Sequence, residues 1–233
     1  MGQVCIVTGA SRGIGRAVAE ALAGSGAIVV MAARDADVLD EVSSGIAARG
    51  GKAIAVPTDV ADENQVSHLF ATAATIGPVR ALITAAAILR KGAFDQMSID
   101  DWKQVVDVNL QGTYLCCREA FRMMRSTGGG KIVTLSSLSG VYGTEKFPGL
   151  SAYNVSKYGV IGLTESLAVE GRAHGITAIC VSPGAVDTEM LRQAGSGLIP
   201  GLRPHELAEL LVDLIEGDNA AMSGTNILLF SNA

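Results

Sequence analysis

A chain of 233 residues with aliphatic side chains spread along its length is the size of one large domain, which buries about 70–75% of the surface that its unfolded form exposes. The formal charge of -5 and isoelectric point near 5.2 argue against nucleic acid as a partner, because phosphate-backbone binders carry a basic face. Mean hydropathy is +0.35, yet no uninterrupted apolar run reaches the ~18 residues of a membrane span, so no membrane partner is expected and buried parallel strands account for the apolar excess.

From the amino end, Met1 and Gly2 lead directly into strand-like Val4-Cys5-Ile6-Val7 with no basic n-region and no small-residue cleavage site, and a cytoplasmic location is expected. Short apolar runs then recur at Val4–Thr8, Ile28–Ala32, Ala53–Val56, Ala81–Thr84, Lys131–Leu135, Thr177–Val181 and Ile227–Phe230, predicting seven strands. Amphipathic stretches such as Arg16–Ala23, Val38–Ala48, Glu63–Thr75 and Leu163–Ala173 alternate with them, and Gly128-Gly129-Gly130 separates a helix from the fifth strand. Repeated β-α-β predicts an α/β fold: one Rossmann-like doubly wound domain over residues 1–233, with a seven-stranded parallel sheet and helices on both faces. Right-handed crossovers favour strand order 3-2-1-4-5-6-7, with ligands at the carboxyl ends of the strands where that order reverses.

The four cysteines, Cys5, Cys116, Cys117 and Cys180, form no C-x-x-C pair and lie in apolar stretches, and the three histidines are scattered. Core thiols and no metal site are expected.

The first strand runs into Thr8-Gly9-Ala10-Ser11-Arg12-Gly13-Ile14-Gly15, and a helical pattern opens at once. Gly9 permits the tight turn, Gly13 admits a pyrophosphate close to the backbone, and Gly15 lets the helix pack on the strand with its amide groups facing the anion. A dinucleotide is the expected occupant. The second strand ends Met31-Ala32-Ala33-Arg34, so alanine stands where NAD sites place an acid, and Arg34 with Arg12 offers two guanidinium groups to a 2′-phosphate. That favours NADP(H), with NAD(H) the alternative through Asp35, which is read instead as a helix N-cap. Asp59, past the third strand, is either an adenine contact or a turn residue.

Tyr153 and Lys157 stand at i and i+4 of a helical stretch, on one face and roughly 6 Å apart along the axis. A phenol with a pKa near ~10 is a poor base at neutral pH, and a neighbouring ammonium is expected to lower it. The strand Lys131–Leu135 leads to Ser136-Ser137, and Val181-Ser182-Pro183-Gly184 ends the sixth strand in the same crevice.

With these motifs the chain resembles a classical member of the short-chain dehydrogenase/reductase family over nearly its whole length. The resemblance implies an NADP(H)-dependent oxidoreductase that interconverts a carbonyl and an alcohol. Its implied catalytic set is Asn109, Ser137, Tyr153 and Lys157: Tyr153 as general acid/base, Lys157 as its partner, Ser137 bonding the substrate oxygen, and Asn109 anchoring a water-linked proton path. Ser136 is the rival of Ser137. Cofactor contacts are implied at Gly9, Ser11, Arg12, Gly13, Ile14, Gly15, Arg34, Asp59, Val60, Ala85, Ala86, Tyr153, Lys157, Pro183, Gly184, Val186 and Thr188.

Two departures from the family pattern stand out. The usual Asn-Asn-Ala-Gly after the fourth strand reads Thr84-Ala85-Ala86-Ala87, leaving Thr84 to act through its hydroxyl. The stretch from Ser137 to Tyr153 is long and carries Tyr142, Glu145, Lys146, Phe147 and Leu150, suited to walling a substrate pocket. Leu138, Tyr142, Phe147 and Met190 are the candidate pocket residues, with Leu191 and Leu198 in the glycine-rich lid segment Thr188–Arg203. The expected partners are a small carbonyl or alcohol and a second copy of the chain, in a homodimer or homotetramer built on two long helices and the last strand. An NAD-dependent secondary-alcohol dehydrogenase and a dinucleotide-sensing binding protein with weak catalysis are the alternatives.

Overall fold

The run Val4–Thr8 forms strand β1 with every residue buried. Its side chains alternate between two cores, Cys5 and Val7 on one face of the sheet and Val4 and Ile6 on the other. This computed structural model describes residues 3–231 apart from 196 and 198. Strands β2 (Ile28–Ala33), β3 (Lys52–Pro57), β4 (Val79–Thr84), β5 (Gly130–Leu135), β6 (Ile176–Pro183) and β7 (Asn226–Leu229) complete the sheet. All seven pair in parallel in the order β3-β2-β1-β4-β5-β6-β7, as the sequence predicts. Interior β6 is buried throughout, whereas the edge strands β3 and β7 are partly exposed.

Helices α1 (Gly13–Gly24), α2 (Ala36–Ala48) and α8 (Pro204–Glu216) cover one face, burying Val18, Leu22, Leu39, Val42, Leu207 and Leu211 against it. Helices α3 (Glu63–Ile76), α5 (Gly112–Ser126) and α6 (Ser151–Gly171) cover the other, with Val66, Phe70, Leu115 and Met124 in that second core. Each such aliphatic or aromatic side chain contributes roughly 1.5–3 kcal/mol on full burial. Helix α4 (Ile99–Val106) and the short α7 (Glu189–Ala194) lie in the connections on the carboxyl side of the sheet. Local capping starts several helices: Asp35 accepts from the Val38 amide, Asp62 from Asn64 and Gln65, Ser98 from Asp101 and Thr188 from Leu191.

Three elements differ from the expectation. Helix α6 runs unbroken from Ser151 to Gly171, so the helical stretch that holds Tyr153 and Lys157 and the amphipathic segment from Leu163 are one helix, with Gly159 and Gly162 inside it. Gly159 sits against Leu110, where an added Cβ would come within 2.7 Å of its side chain. Helix α8 is an element beyond those expected, marked by Pro204 at its first position and the Leu207, Leu211, Leu214 spacing. A π turn, Asp107–Gln111, joins α4 to α5, a feature without a sequence periodicity of its own.

Candidate active site

Because all strands run one way, their carboxyl ends open into a single crevice of about 1630 Å³. At its floor Gly9 adopts φ +68°, and a Cβ there would lie 2.7 Å from the Ala86 amide nitrogen. A Cβ on Gly15 would stand 2.2 Å from the Gly9 carbonyl oxygen. The chain can therefore turn from β1 into α1 against the end of β4 only with glycine at both places. Arg12 occupies the N-cap of α1 without a capping side-chain bond, so the first-turn amides remain available to an anion. Ser11, Arg12, Gly13, Ile14 and Gly15 all line the crevice.

The Ala10 amide donates to the Ala32 carbonyl at 3.1 Å and draws the glycine loop against the end of β2. Arg12 and Arg34 therefore flank the same end of the crevice. Arg34 is exposed and has no ion-pair partner among the described residues, whereas Arg12 is paired with Glu189 at 2.6 Å, so only one of the two guanidinium groups expected to clamp a phosphate is unengaged. Asp35 caps α2 as expected, accepting from the Val38 amide at 3.2 Å. Asp59 shows the turn geometry, with Oδ1 accepting from the Ala61 amide at 3.0 Å, and it lines the crevice as well. Val60, Ala85, Ala86, Pro183, Gly184, Val186 and Thr188 complete this wall.

Ser137, Tyr153 and Lys157 meet at the other end of the crevice. Ser136 and Ser137 are told apart by burial: Ser136 is 4% exposed and donates to the Lys157 carbonyl oxygen at 2.8 Å. Ser137 instead acts on the Tyr153 phenol, whose pKa is pushed up by burial and pulled partly back by this hydroxyl. That corrects the expectation of a phenol lowered by Lys157: the Lys157 Nζ stands 5.7 Å from the Tyr153 ring centroid and donates to the Leu135 carbonyl oxygen at 2.8 Å. Burial pulls the Lys157 pKa down to about 8, against an opposing effect of Cys180. In this state the phenol holds its proton, as a group that donates to a carbonyl oxygen must.

Asn109 does not line the crevice. It is fully buried in the π turn, where Oδ1 accepts from the Ile88 amide at 2.8 Å and Nδ2 donates to the Ile88 carbonyl at 3.0 Å and the Ser156 hydroxyl at 3.1 Å. Its side chain thus ties the segment after β4 to α6, one residue before Lys157. Thr84 also departs from expectation: among the described residues its buried hydroxyl has no hydrogen-bond partner. Nearby, the turn Leu138–Gly140 rests directly on α6, since a Cβ on Gly140 would stand 2.5 Å from the Lys157 carbonyl carbon.

Leu138, Tyr142, Phe147, Met190 and Leu191 line the crevice beyond Tyr153, as do Glu145 and Leu150. Lys146 does not, because its ammonium bonds the Val141 carbonyl and stacks over Tyr158. Leu198 lies outside the described residues. Sequence reading passed over Glu189, whose only signal is an acid at the first position of a short helix, and Arg90, Arg192 and Gln193 at the rim. All four cysteines are free and buried, with Cys5 and Cys116 pushed up to about 12 by burial. Among the described residues no cluster suits a metal ion and no helix is long and apolar enough to cross a membrane.

The family model for short chain dehydrogenase matches residues 3–198. The chain belongs to the short-chain dehydrogenase/reductase family. It is an oxidoreductase of the kind that uses a nicotinamide cofactor, NAD(H) or NADP(H), on small molecules. A 3-oxoacyl-[acyl-carrier-protein] reductase from Synechocystis sp. is 38% identical over 190 residues, covering 81% of this chain and 76% of that relative. An NADPH-dependent aldehyde reductase-like protein from Arabidopsis thaliana is 38% identical over 204 residues, covering 81% and 74%. A crystal structure of a short-chain dehydrogenase/reductase from Mycobacterium marinum superposes with a TM-score of 0.92 at 33% identity, covering 99% of this chain and 94% of that one.

Proposed function

We propose that this enzyme reduces a carbonyl to an alcohol, or runs the reverse reaction, with NADP(H), and that residues 1–233 form one catalytic domain. The convergence of Ser137, Tyr153 and Lys157 on one wall of a crevice floored by the glycine loop carries the reading. Uncapped α1 amides, the close Gly9–Gly15 turn, and a volume above the ~300–1,000 Å³ of a single small-molecule pocket fit a dinucleotide together with a substrate.

When bound, the nicotinamide supplies the hydride. Ser137 holds the substrate oxygen by donating its hydroxyl hydrogen, which stabilises the negative charge that grows there. Tyr153 gives up its phenol proton to that oxygen, so its O–H bond breaks as the alcohol O–H forms. Lys157, at a pKa of about 8, is placed to carry charge and protons at neutral pH beside the resulting phenolate. Asn109 acts as a positioning residue, since its amide group is engaged by Ile88 and Ser156.

Ala33 at the end of β2, Asp35 engaged as a cap and Arg34, which has no ion-pair partner among the described residues, support NADP(H) over NAD(H). Leu138, Tyr142, Phe147 and Met190 form the substrate end. Four buried free thiols suit a reducing, cytoplasmic setting. Exposed Tyr114, Val155, Tyr158 and Val169 on α5 and α6, with Phe230 past β7, support a homo-oligomer.

Initial rates of NADPH and NADH oxidation against oxoacyl thioesters, ketosteroids, sugars and small ketones test the reading. Turnover of one class with preference for NADPH upholds it. Tight NADPH binding with no turnover of any class would favour the dinucleotide sensor.

A further inference from the structure

Arg12 is the one guanidinium in the glycine loop, and the structure gives it a counter-ion. Its Nη1 and the Glu189 Oε2 stand 2.6 Å apart, with both side chains more than half exposed at 66% and 53%. Glu189 opens α7, and Gln193 donates to its other oxygen at 3.4 Å. The same end of α7 lies close to the loop: a Cβ on Gly13 would stand 3.4 Å from the Thr188 Cγ2. Glu189 is thus held over the crevice end that Arg12 and Arg34 flank, while Arg34 has no ion-pair partner among the described residues.

We propose that Glu189 is a cofactor-specificity residue, the resident counter-ion that a 2′-phosphate must displace from Arg12. The inference rests on the NADP(H) reading above. A phosphate monoester carries about -1.5 to -2 charges near neutrality and takes a guanidinium by two parallel hydrogen bonds, so it outcompetes one exposed carboxylate. A cofactor that ends in a ribose hydroxyl offers Arg12 no such exchange and leaves the pair closed. Glu189 therefore weakens binding of the phosphorylated cofactor selectively. It narrows the preference that Arg34 sets.

The exposure of the pair bounds the effect, because exposed ion pairs change equilibria by no more than about fivefold. Glu189→Gln keeps the size and the bond from Gln193 while removing the charge. In fluorescence titrations at low salt, this variant is expected to bind NADPH two- to fivefold more tightly, with NADH within about 1.5-fold, and the gain should fade near 1 M salt as screening removes the pair. In an Arg12→Gln background the substitution is expected to change NADPH affinity no more than NADH affinity. An unchanged unfolding midpoint shows that the variant is intact. Equal shifts for both cofactors, no shift, or a selective gain that survives without Arg12 would each overturn the proposal. Arg34→Ala, titrated alongside, separates the two levels: selective loss of NADPH there with no selective gain in Glu189→Gln sinks only the Glu189 role, whereas equal loss of both cofactors sinks the NADP(H) reading and this proposal with it.

Discussion

The Lys157 ammonium faces the end of β5, bonded to the Leu135 carbonyl oxygen at 2.8 Å, and stands 5.7 Å from the centre of the Tyr153 ring. The two groups share a helix face, yet in this state the lysine steadies the sheet end beside the serines and does not ionise the phenol. Burial dominates both titrations, raising the phenol and lowering the ammonium.

That burial has a sign that can be measured. Lys157 protonates near pH 8 in the folded chain and near 10.5 when unfolded, so between these values the unfolded state binds more protons and stability rises with pH. Below pH 8 the folded state carries the full penalty, on the order of 3 kcal/mol for a shift of this size. Lys157→Met removes it. The variant should be inactive and more stable than the parent at pH 7, and its advantage should shrink as pH rises from 8 towards 10. Denaturant unfolding of both proteins across that range checks this, and an advantage independent of pH contradicts it.

The turn Leu138–Gly140 presses on α6 so closely that Gly140 has no room for a methyl group beside the Lys157 backbone. Gly140→Ala is expected to destabilise the fold by about 1–3 kcal/mol. Turnover should fall at least tenfold, since Ser137 precedes that turn and Lys157 lies beneath it. Steady-state kinetics with an unfolding curve provide the check.

Thr84 stands where the family resemblance implies asparagine, and its hydroxyl is buried without a partner among the described residues. An orphaned hydroxyl costs roughly 1–3 kcal/mol. Thr84→Val therefore leaves stability unchanged or raises it, with turnover retained. A loss above 1 kcal/mol on the same unfolding assay would mean that this hydroxyl has a partner.

How far the sequence discloses this site depends on the kind of signal. Strand order was legible because each buried strand is a short apolar run, and the glycine loop because Gly9 and Gly15 answer to backbone contacts that no other residue permits. The choice of Ser137 over Ser136 followed from resemblance alone; burial and the bond to the Lys157 carbonyl now give it a physical reason. The continuity of α6 across Gly159 and Gly162 was not legible, because Gly159 answers to close packing on Leu110, a contact with a distant residue. Pairings between distant residues, Arg12 with Glu189 and Asn109 with Ile88 and Ser156, carry no local pattern at all. Lys157 and Tyr153 were correctly placed on one face, but spacing cannot reveal that burial outweighs their mutual attraction.

The central claim is that the Tyr153 phenol delivers the proton. Tyr153→Phe keeps the ring and removes only the hydroxyl, so single-turnover hydride transfer from NADPH to a reactive carbonyl, measured beside NADPH affinity, isolates that proton. Transfer should slow by about 10²–10⁴-fold, the usual span of general acid catalysis, with NADPH affinity within a few-fold of the parent. Transfer at the parental rate would remove Tyr153 from the chemistry and the proposed mechanism with it.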